Sequence, residues 1–270
     1  MKGLSVPLPD DWIVPDIGEE NPYGLKPNSS FVFLLPDRRR SWNGPAIARP
    51  EAGGALYMYS FVADPKNRHY DDLFGDGATD TGGQGASGMS GIGGAIRLGE
   101  LTGERPLRHA IKINPWGHHL HYSEEVPGFR WPARSADRYA NDPDHKNAYV
   151  GDNPQLVMGS LLAVKPEVTA EEIGLETEPG QLLLQVLQDY GAYICEDAGW
   201  DVFDFIIERG VEVEFEAKYG FSMKSETWRK DVIRIAEQLC VIANNGPESI
   251  GGGGVPRRSL APDLPVPDMP

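Results

Sequence analysis

A mainly β fold with two inserted helices is predicted by three observations. The chain has 270 residues, of which 32 are glycine and 23 proline, and these are spread throughout, cutting it into many short segments. Several of the segments alternate apolar and polar residues, the period of a half-buried strand. Helical spacing is confined to two late stretches. Short strands set between turn residues are how a sheet-based architecture reads, because each strand must bury one face against another layer.

The elements follow in order. FVFLL at 31–35 is the first strand candidate. In ALYMYSFV, 55–62, Tyr57, Tyr59 and Phe61 share one face, and in HAIKIN, 109–114, His109, Ile111 and Ile113 share one. HHLHY at 118–122, QLVMGSLLAV at 155–164, AYIC at 192–195 and VFDFIIE at 202–208 are further candidates. Leu183, Val186, Leu187 and Tyr190 fall at helical intervals between Pro179 and Gly191, which predicts a helix near 179–190. Trp228, Val232, Ile235, Ala236, Leu239 and Cys240 predict a second near 226–243, closed by Asn245-Gly246. No linker separates two cores, so one domain over 1–246 is expected. The segment 247–270 holds a run of four glycines followed by prolines at 256, 262, 265, 267 and 270. It cannot form a regular element and is expected as a tail, packed on the body or loose.

Charge narrows the partners. With 40 Asp and Glu against 25 Lys and Arg, the net charge of −15 repels polyanions. Nucleic acid is therefore excluded as an expected partner. Apolar runs such as FVFLLP at 31–36 are far shorter than the ~20 residues that span a bilayer, so membrane insertion is not expected. The opening MKGLSVPLPDDW has no continuous apolar stretch and makes no signal peptide. The expected setting is extracellular if an export signal has been removed, and cytoplasmic otherwise. Two cysteines, Cys195 and Cys240, are too few for a disulfide scaffold, and their pairing is left open.

GQGASG at 83–88 fits the dinucleotide pattern G-x-G-x-x-G, but its flanks do not. That fingerprint needs a hydrophobic strand running in and a helix starting after it, whose N-terminus holds the pyrophosphate. Here DDLFGDGATDTG precedes and MSGIGGAIRLGEL follows, so the glycines are expected to serve a flat loop instead. Asp72, Asp76 and Asp80 are spaced by four on this loop, and calcium near Asp76 and Asp80 is a candidate, although the EF-hand register is absent.

SGMSGIGGAIRLGEL, RHAIKIN and GFRWPARSAD come in that order, followed by YVGDNPQLVMGSLLAV, LETEPGQLLLQVLQDYGAYICED, GWDVF and GGGGVPR. This series of blocks resembles a group of bacterial and fungal proteins, usually secreted, without an assigned function. The resemblance implies a secreted setting and a jelly-roll-like two-sheet β-sandwich, similar in framework to polysaccharide-active enzymes. It transfers no mechanism residue by residue.

The expected activity is cleavage of a carbohydrate polymer or oligosaccharide by a glycoside hydrolase. That chemistry needs one protonated and one ionised carboxyl group on either side of the scissile bond. Carboxylates beside aromatic rings are preferred, because sugars lie on aromatic faces and apolar walls raise a carboxyl pKa. Asp201 beside Trp200 and Phe203, Asp189 beside Tyr190, Asp137 after Trp131, and Glu100 at the end of the glycine stretch are the candidates. Strand alternation places Asp201 on the face of Phe203 and Phe205, and if that face is the core a buried Asp201 needs a partner or a raised pKa. Each has a bland alternative: Glu100 paired with Arg97, Asp137 with Arg134, Asp189 in an exposed last helical turn. Trp116, Trp131 and Trp200 are expected sugar platforms, with Lys112, Arg97 and Arg134 as further substrate contacts.

In WGHHLHY, alternation puts His119 and His121 on one strand face, where they could polarise a substrate or bind one divalent metal ion. They also support a rival reading, a polysaccharide lyase with His or Tyr as base and Arg or Lys neutralising a uronate. A non-catalytic carbohydrate-binding or surface protein is the third.

Overall fold

The structure, a computed structural model, describes residues 8–14, 29–58, 69–75 and 85–258. The chain separates into two compact units, residues 1–93 with 265–270 and residues 94–264. The division falls between Gly93 and Gly94, inside the glycine stretch, where no linker composition marks it.

The first unit holds an antiparallel sheet of β1 (Ser29–Leu34), β2 (Arg40–Ala48), β3 (Tyr57–Met58) and β4 (His69–Asp72). Strand β2 is central, with β1 on one edge and both β3 and β4 on the other. The β1–β2 register slips between Ser29 and Phe31, opposite the stretch carrying Pro45. Proline has no N–H to give a ladder, so an irregularity is the place for it. Val14, Phe31 and Ile47 form a small core with Trp12, Phe33, Trp42 and Leu56. Phe31 meets Phe33 at 4.8 Å and Trp42 edge-on at 5.4 Å, which is why FVFLL keeps its aromatic alternation. The strand expected over 55–62 is described at Tyr57–Met58, and 59–62 lie outside the described residues.

Gly91 explains part of the glycine stretch. Its N–H donates to Asn43 Oδ1 at 2.6 Å, and a Cβ there would strike the Val32 side chain. Only glycine lets this loop lie against β1 and β2. No helix follows Gly88: residues 85–102 run through turns and bends.

The second unit holds β5 (Ile111–Pro115), β6 (Leu161–Val164), α1 (Glu178–Asp189), β7 (Ala192–Ile194), β8 (Phe203–Phe205), α2 (Val211–Tyr219), α3 (Glu226–Ala236) and β9 (Leu239–Val241). Its five-stranded sheet has the order β8-β5-β7-β6-β9. Strands β5 and β7 are parallel, and the other pairings are antiparallel. Thr177 caps α1 by accepting from the Gly180 N–H, and Gly191 follows the helix at a φ of 77°. Leu183, Leu184, Val186 and Leu187 of α1 are buried, and the helix packs on β6 and α3.

Asp231, fully buried on α3, ties the two helices together. Its Oδ2 accepts from the Thr177 N–H at 2.8 Å and the Thr177 hydroxyl at 2.7 Å, while Oδ1 accepts from the Glu176 N–H at 3.0 Å. These donors belong to the N-cap of α1 and the residue before it, so a carboxylate on one helix holds the start of another.

Two expectations change, and one helix was not anticipated. The helix expected to 243 stops at Ala236, and Leu239 and Cys240 pair with Val164 and Ala163 as β9. The open edge of β6 offers a row of backbone partners that outweighs continuing the apolar stripe. HHLHY is not a strand, and its first two residues belong to a single 3₁₀ turn over Gly117–His119. Helix α2 lies where V-E-V-E-F alternates like a strand, and left-handed Gly210 and Gly220 bound it. The described residues are β-rich as expected, with two sheets and three α-helices.

Candidate functional site

Because β5 and β7 are parallel, their carboxyl ends emerge at the same end of the sheet, the side on which open sheets with parallel strands carry their sites. Past β5 the chain runs through Trp116, Gly117, His118 and His119, and past β7 through Cys195, Glu196 and Asp197. A bridge between Trp116 and Ala198 continues the parallel pairing beyond the strands. The third wall is the loop 137–149, folded on itself by turns such as His145 N–H to Asp142 O at 2.9 Å and Tyr149 N–H to Ala140 O at 3.0 Å. Oriented to satisfy its neighbours, the Asn147 amide donates to Gly199 O at 3.1 Å and joins the third wall to the second.

Gly117 makes the convergence possible. A Cβ there would lie 2.5 Å from Asp197 Oδ2 and 2.6 Å from Asn147 O. Any side chain would push the walls apart.

Three carboxylates meet at the centre. Asp137, Glu196 and Asp197 each offer an oxygen within 4.8 Å of the others. Tyr149 donates its hydroxyl to Asp137 Oδ2 at 2.7 Å, and Tyr139 donates to Asp197 Oδ1 at 2.8 Å. Asp197 Oδ2 is buried and accepts no hydrogen bond among the described residues. Burial, reinforced by the nearby Asp137 carboxylate, pushes the Asp197 carboxyl up to about 7. Burial raises Asp137 as well, against the hydrogen bonds it accepts from tyrosine. Two like charges this close in a poorly solvated place oppose each other's ionisation, which adds to burial in raising both carboxyls. Burial and the same carboxylates raise both tyrosines, which hold their protons more tightly than free phenols.

Aromatic groups surround the acids. His145 stacks on Tyr139 at 4.1 Å, and its Nδ1 accepts from the Asn147 N–H at 3.2 Å. That bond leaves the proton of the neutral ring on Nε2. His118 stacks on Trp116 at 4.1 Å. Trp200 is 67 % exposed, a large apolar surface left in water beside Asp201. The oxygen-only donor set of the three carboxylates suits a hard divalent cation such as Ca²⁺.

Of the residues singled out from the sequence, Asp137 and Trp116 belong to this cluster, with Trp200, Asp201 and His119 at its margin. The condition under which Asp201 would be buried is not met: its side chain is 75 % exposed and pairs with His119 Nε2 at 3.2 Å. It precedes β8 rather than lying on it, so the alternation argument did not apply. The buried acid stands four residues earlier, at Asp197. His119 and His121 do not form a metal pair: His121 Nδ1 bonds Gly151 O at 2.7 Å, and among the described residues only carboxylates gather closely enough to hold an ion. The 3₁₀ turn has replaced the strand that would have aligned them.

The remaining candidates are placed elsewhere. Glu100 is 6 % exposed and accepts from the Arg97 N–H at 2.6 Å, with His109 Nε2 at 3.2 Å from the same oxygen. Its carboxyl is held below the usual range because those hydrogen bonds outweigh its burial. Lys112 is buried within β5 rather than presented to a substrate. Asp189 is not in an exposed turn but buried under Arg257 and Arg258. Trp131 is half-buried and Arg134 exposed on the loop preceding Asp137. Asp72 is held by Arg39 at 2.7 Å, and Asp76 and Asp80 lie outside the described residues.

Glu196, Asp197, Tyr139, Tyr149 and His145 were missed. The signal for the first two was their place directly after a strand, ahead of Trp200. Cys195 is free and buried, and burial, aided by Glu196, pushes its thiol up to about 12, so it is no nucleophile. Cys240 is also free, which answers the pairing question.

Comparison of the chain with family models, with curated proteins and with solved structures finds no match. The geometry of the site alone supports a functional reading.

Proposed function

We propose that the chain is a glycoside hydrolase acting on a neutral carbohydrate polymer, with Asp197 as general acid and Asp137 as its ionised partner. The observation that carries this reading is a carboxyl raised to about 7 within 4.8 Å of two others, beside Trp116. A separation this short falls near the roughly 5–5.5 Å of double-displacement enzymes and below the roughly 6.5–9.5 Å that leaves room for a water. In that scheme Asp137 attacks the anomeric carbon while Asp197 protonates the departing oxygen. Asp197 then deprotonates the water that cleaves the glycosyl ester and recovers its proton.

Elimination from a uronate is less well supported. Tyr139 and Tyr149 hold their protons too tightly to act as bases, and the carboxylates repel an acidic sugar. A second reading, a carbohydrate-binding module stiffened by a cation on the three carboxylates, is favoured by the buried Asp197 Oδ2 that lacks a donor. The jelly-roll-like framework belongs to the proposal too. Two β-sheets support it, and the parallel β5–β7 pair weighs against it, since such sandwiches are antiparallel.

The test is reducing-end release from neutral glucans, xylan and mannan, with affinity electrophoresis on the same polymers. Release at pH 5–7 is the expected result. Retarded migration without release, abolished by EDTA, would replace hydrolysis by the binding reading.

A further inference from the structure

Helix α1 ends on an unusual charge. The C-terminal end of a helix is the negative end of its dipole and favours cations, yet its last residue is Asp189 and its last turn holds no basic residue. The Asp189 side chain is only 4 % exposed. A buried carboxylate at the negative end of a helix needs a cation brought to it.

The chain supplies two. Arg258 Nε lies 3.0 Å from Asp189 Oδ2, and Arg257 Nη1 lies 3.4 Å from Oδ1. Both arginines are themselves largely in water, at 41 % and 57 % side-chain exposure, so they reach the carboxylate from outside. Oδ1 makes no hydrogen bond of normal geometry, so the pair does not exhaust what the carboxylate can accept. Beside it lies a cavity of about 320 Å³ lined by Val164, Lys165, Gln188, Asp189, Tyr190 and Cys240, among others.

The route of the arginines matters as much as their charge. Gly251, Gly252, Gly253 and Gly254 all have positive φ, 75°, 85°, 78° and 89°. Four successive glycines at positive φ make a joint that side chains would strain. Its near end is fixed, because the Gly251 N–H donates to Asn245 Oδ1 at 2.9 Å. Beyond the joint, the arginines are held through Asp189.

We propose that the cavity at Asp189 is a binding site for guanidinium and alkylammonium groups, whose carboxylate is engaged in cis by the Arg257-Arg258 pair at the end of a glycine joint. The tail acts as a tethered ligand. A tether this short holds its group at an effective concentration in the millimolar range, so a free cation enters the site only when the arginines leave. The site is independent of the carboxylate cluster and of the hydrolase reading.

The probe is arginine amide, titrated by calorimetry into the full chain. Arg257→Ser with Arg258→Ser should bind it at least about tenfold more tightly than the unaltered chain, because the competitor in cis is gone. Adding Asp189→Asn should abolish that binding. Equal affinity in the unaltered and double-variant chains, or binding that survives Asp189→Asn, overturns the proposal. A second measurement does not depend on ligand binding. Trypsin needs a free arginine, so release of the peptide 259–270, followed by mass spectrometry, should be at least about tenfold faster in Asp189→Asn than in the unaltered chain. Equal release rates would show that Asp189 does not hold the arginines.

Discussion

Replacing Asp231 by alanine is expected to destabilise the chain by about 3–5 kcal/mol, the largest loss of any single substitution considered. The carboxylate is fully buried and accepts from two backbone N–H groups and one hydroxyl at the start of α1. Alanine leaves these donors without a partner, at a cost of roughly 1–3 kcal/mol for each that water cannot reach. It also uncouples α3 from the cap of α1, since the Thr177 hydroxyl both donates to Asp231 and accepts from Gly180. Asp231→Asn retains one acceptor oxygen and should lose about half as much. Urea unfolding of the three chains, with unchanged slope and a lowered midpoint, measures the difference. A midpoint for Asp231→Ala within error of the parent would contradict this role.

Asp197→Asn should act in two opposite directions. Losing the proton donor should lower kcat on the polymer that the chain cleaves by about 10²–10⁴-fold. Stability should instead rise at high pH. The folded carboxyl sits at about 7 against an ordinary value of 3.8, so its stabilising contribution is complete below about 4 and lost as pH rises through about 7. The parent should therefore be less stable at pH 8 than at pH 5, with Asp197 contributing about 1–2 kcal/mol of the loss once solvent screening is allowed for. His109 titrates in the same direction, because its hydrogen bond to Glu100 outweighs its burial and raises it. The readout is thus the difference in pH slope between the two chains. Thermal midpoints from pH 5 to 8.5 should fall in the parent and fall less in Asp197→Asn.

The sequence was informative where one local rule had no competitor. Helix α1 announced itself through Leu183, Val186 and Leu187, Pro179 and Gly191, because stripe, first turn and cap all agree. Strands β5, β7 and β8 were visible as short apolar segments between turn residues. Failures came where two periods fitted the same letters. Leu239 and Cys240 continue a helical stripe but also complete a strand, and the free edge of β6 decided between them. Helix α2 went unassigned, because Val211 to Phe215 carry no helical stripe and its ends are set by Gly210 and Gly220 rather than by pattern.

The candidate site was legible only in part, for a geometric reason. Trp116 and Asp137 were identifiable because each stands near other aromatic residues. The pairing of Asp137 with Asp197 was not, because the 59 intervening residues include two strands and a helix, and nothing local announces that β5 and β7 run parallel. Parallel pairing is what brings Gly117 against Asp197 and converts an ordinary Glu-Asp pair after a strand into a raised acid. His119 and Asp201 pair with each other in water rather than joining the buried carboxylates, since both are exposed.

The central claim is that burial and Asp137 together keep Asp197 protonated near neutral pH. Its most direct test is the ¹³Cγ resonance of Asp197, followed across pH 3 to 9 in the parent and in Asp137→Asn. The account predicts a midpoint near 7 in the parent, moving toward the ordinary value in the variant as the neighbouring charge is removed. A midpoint near 3.8 in both chains would contradict it, and with it the assignment of Asp197 as the acid.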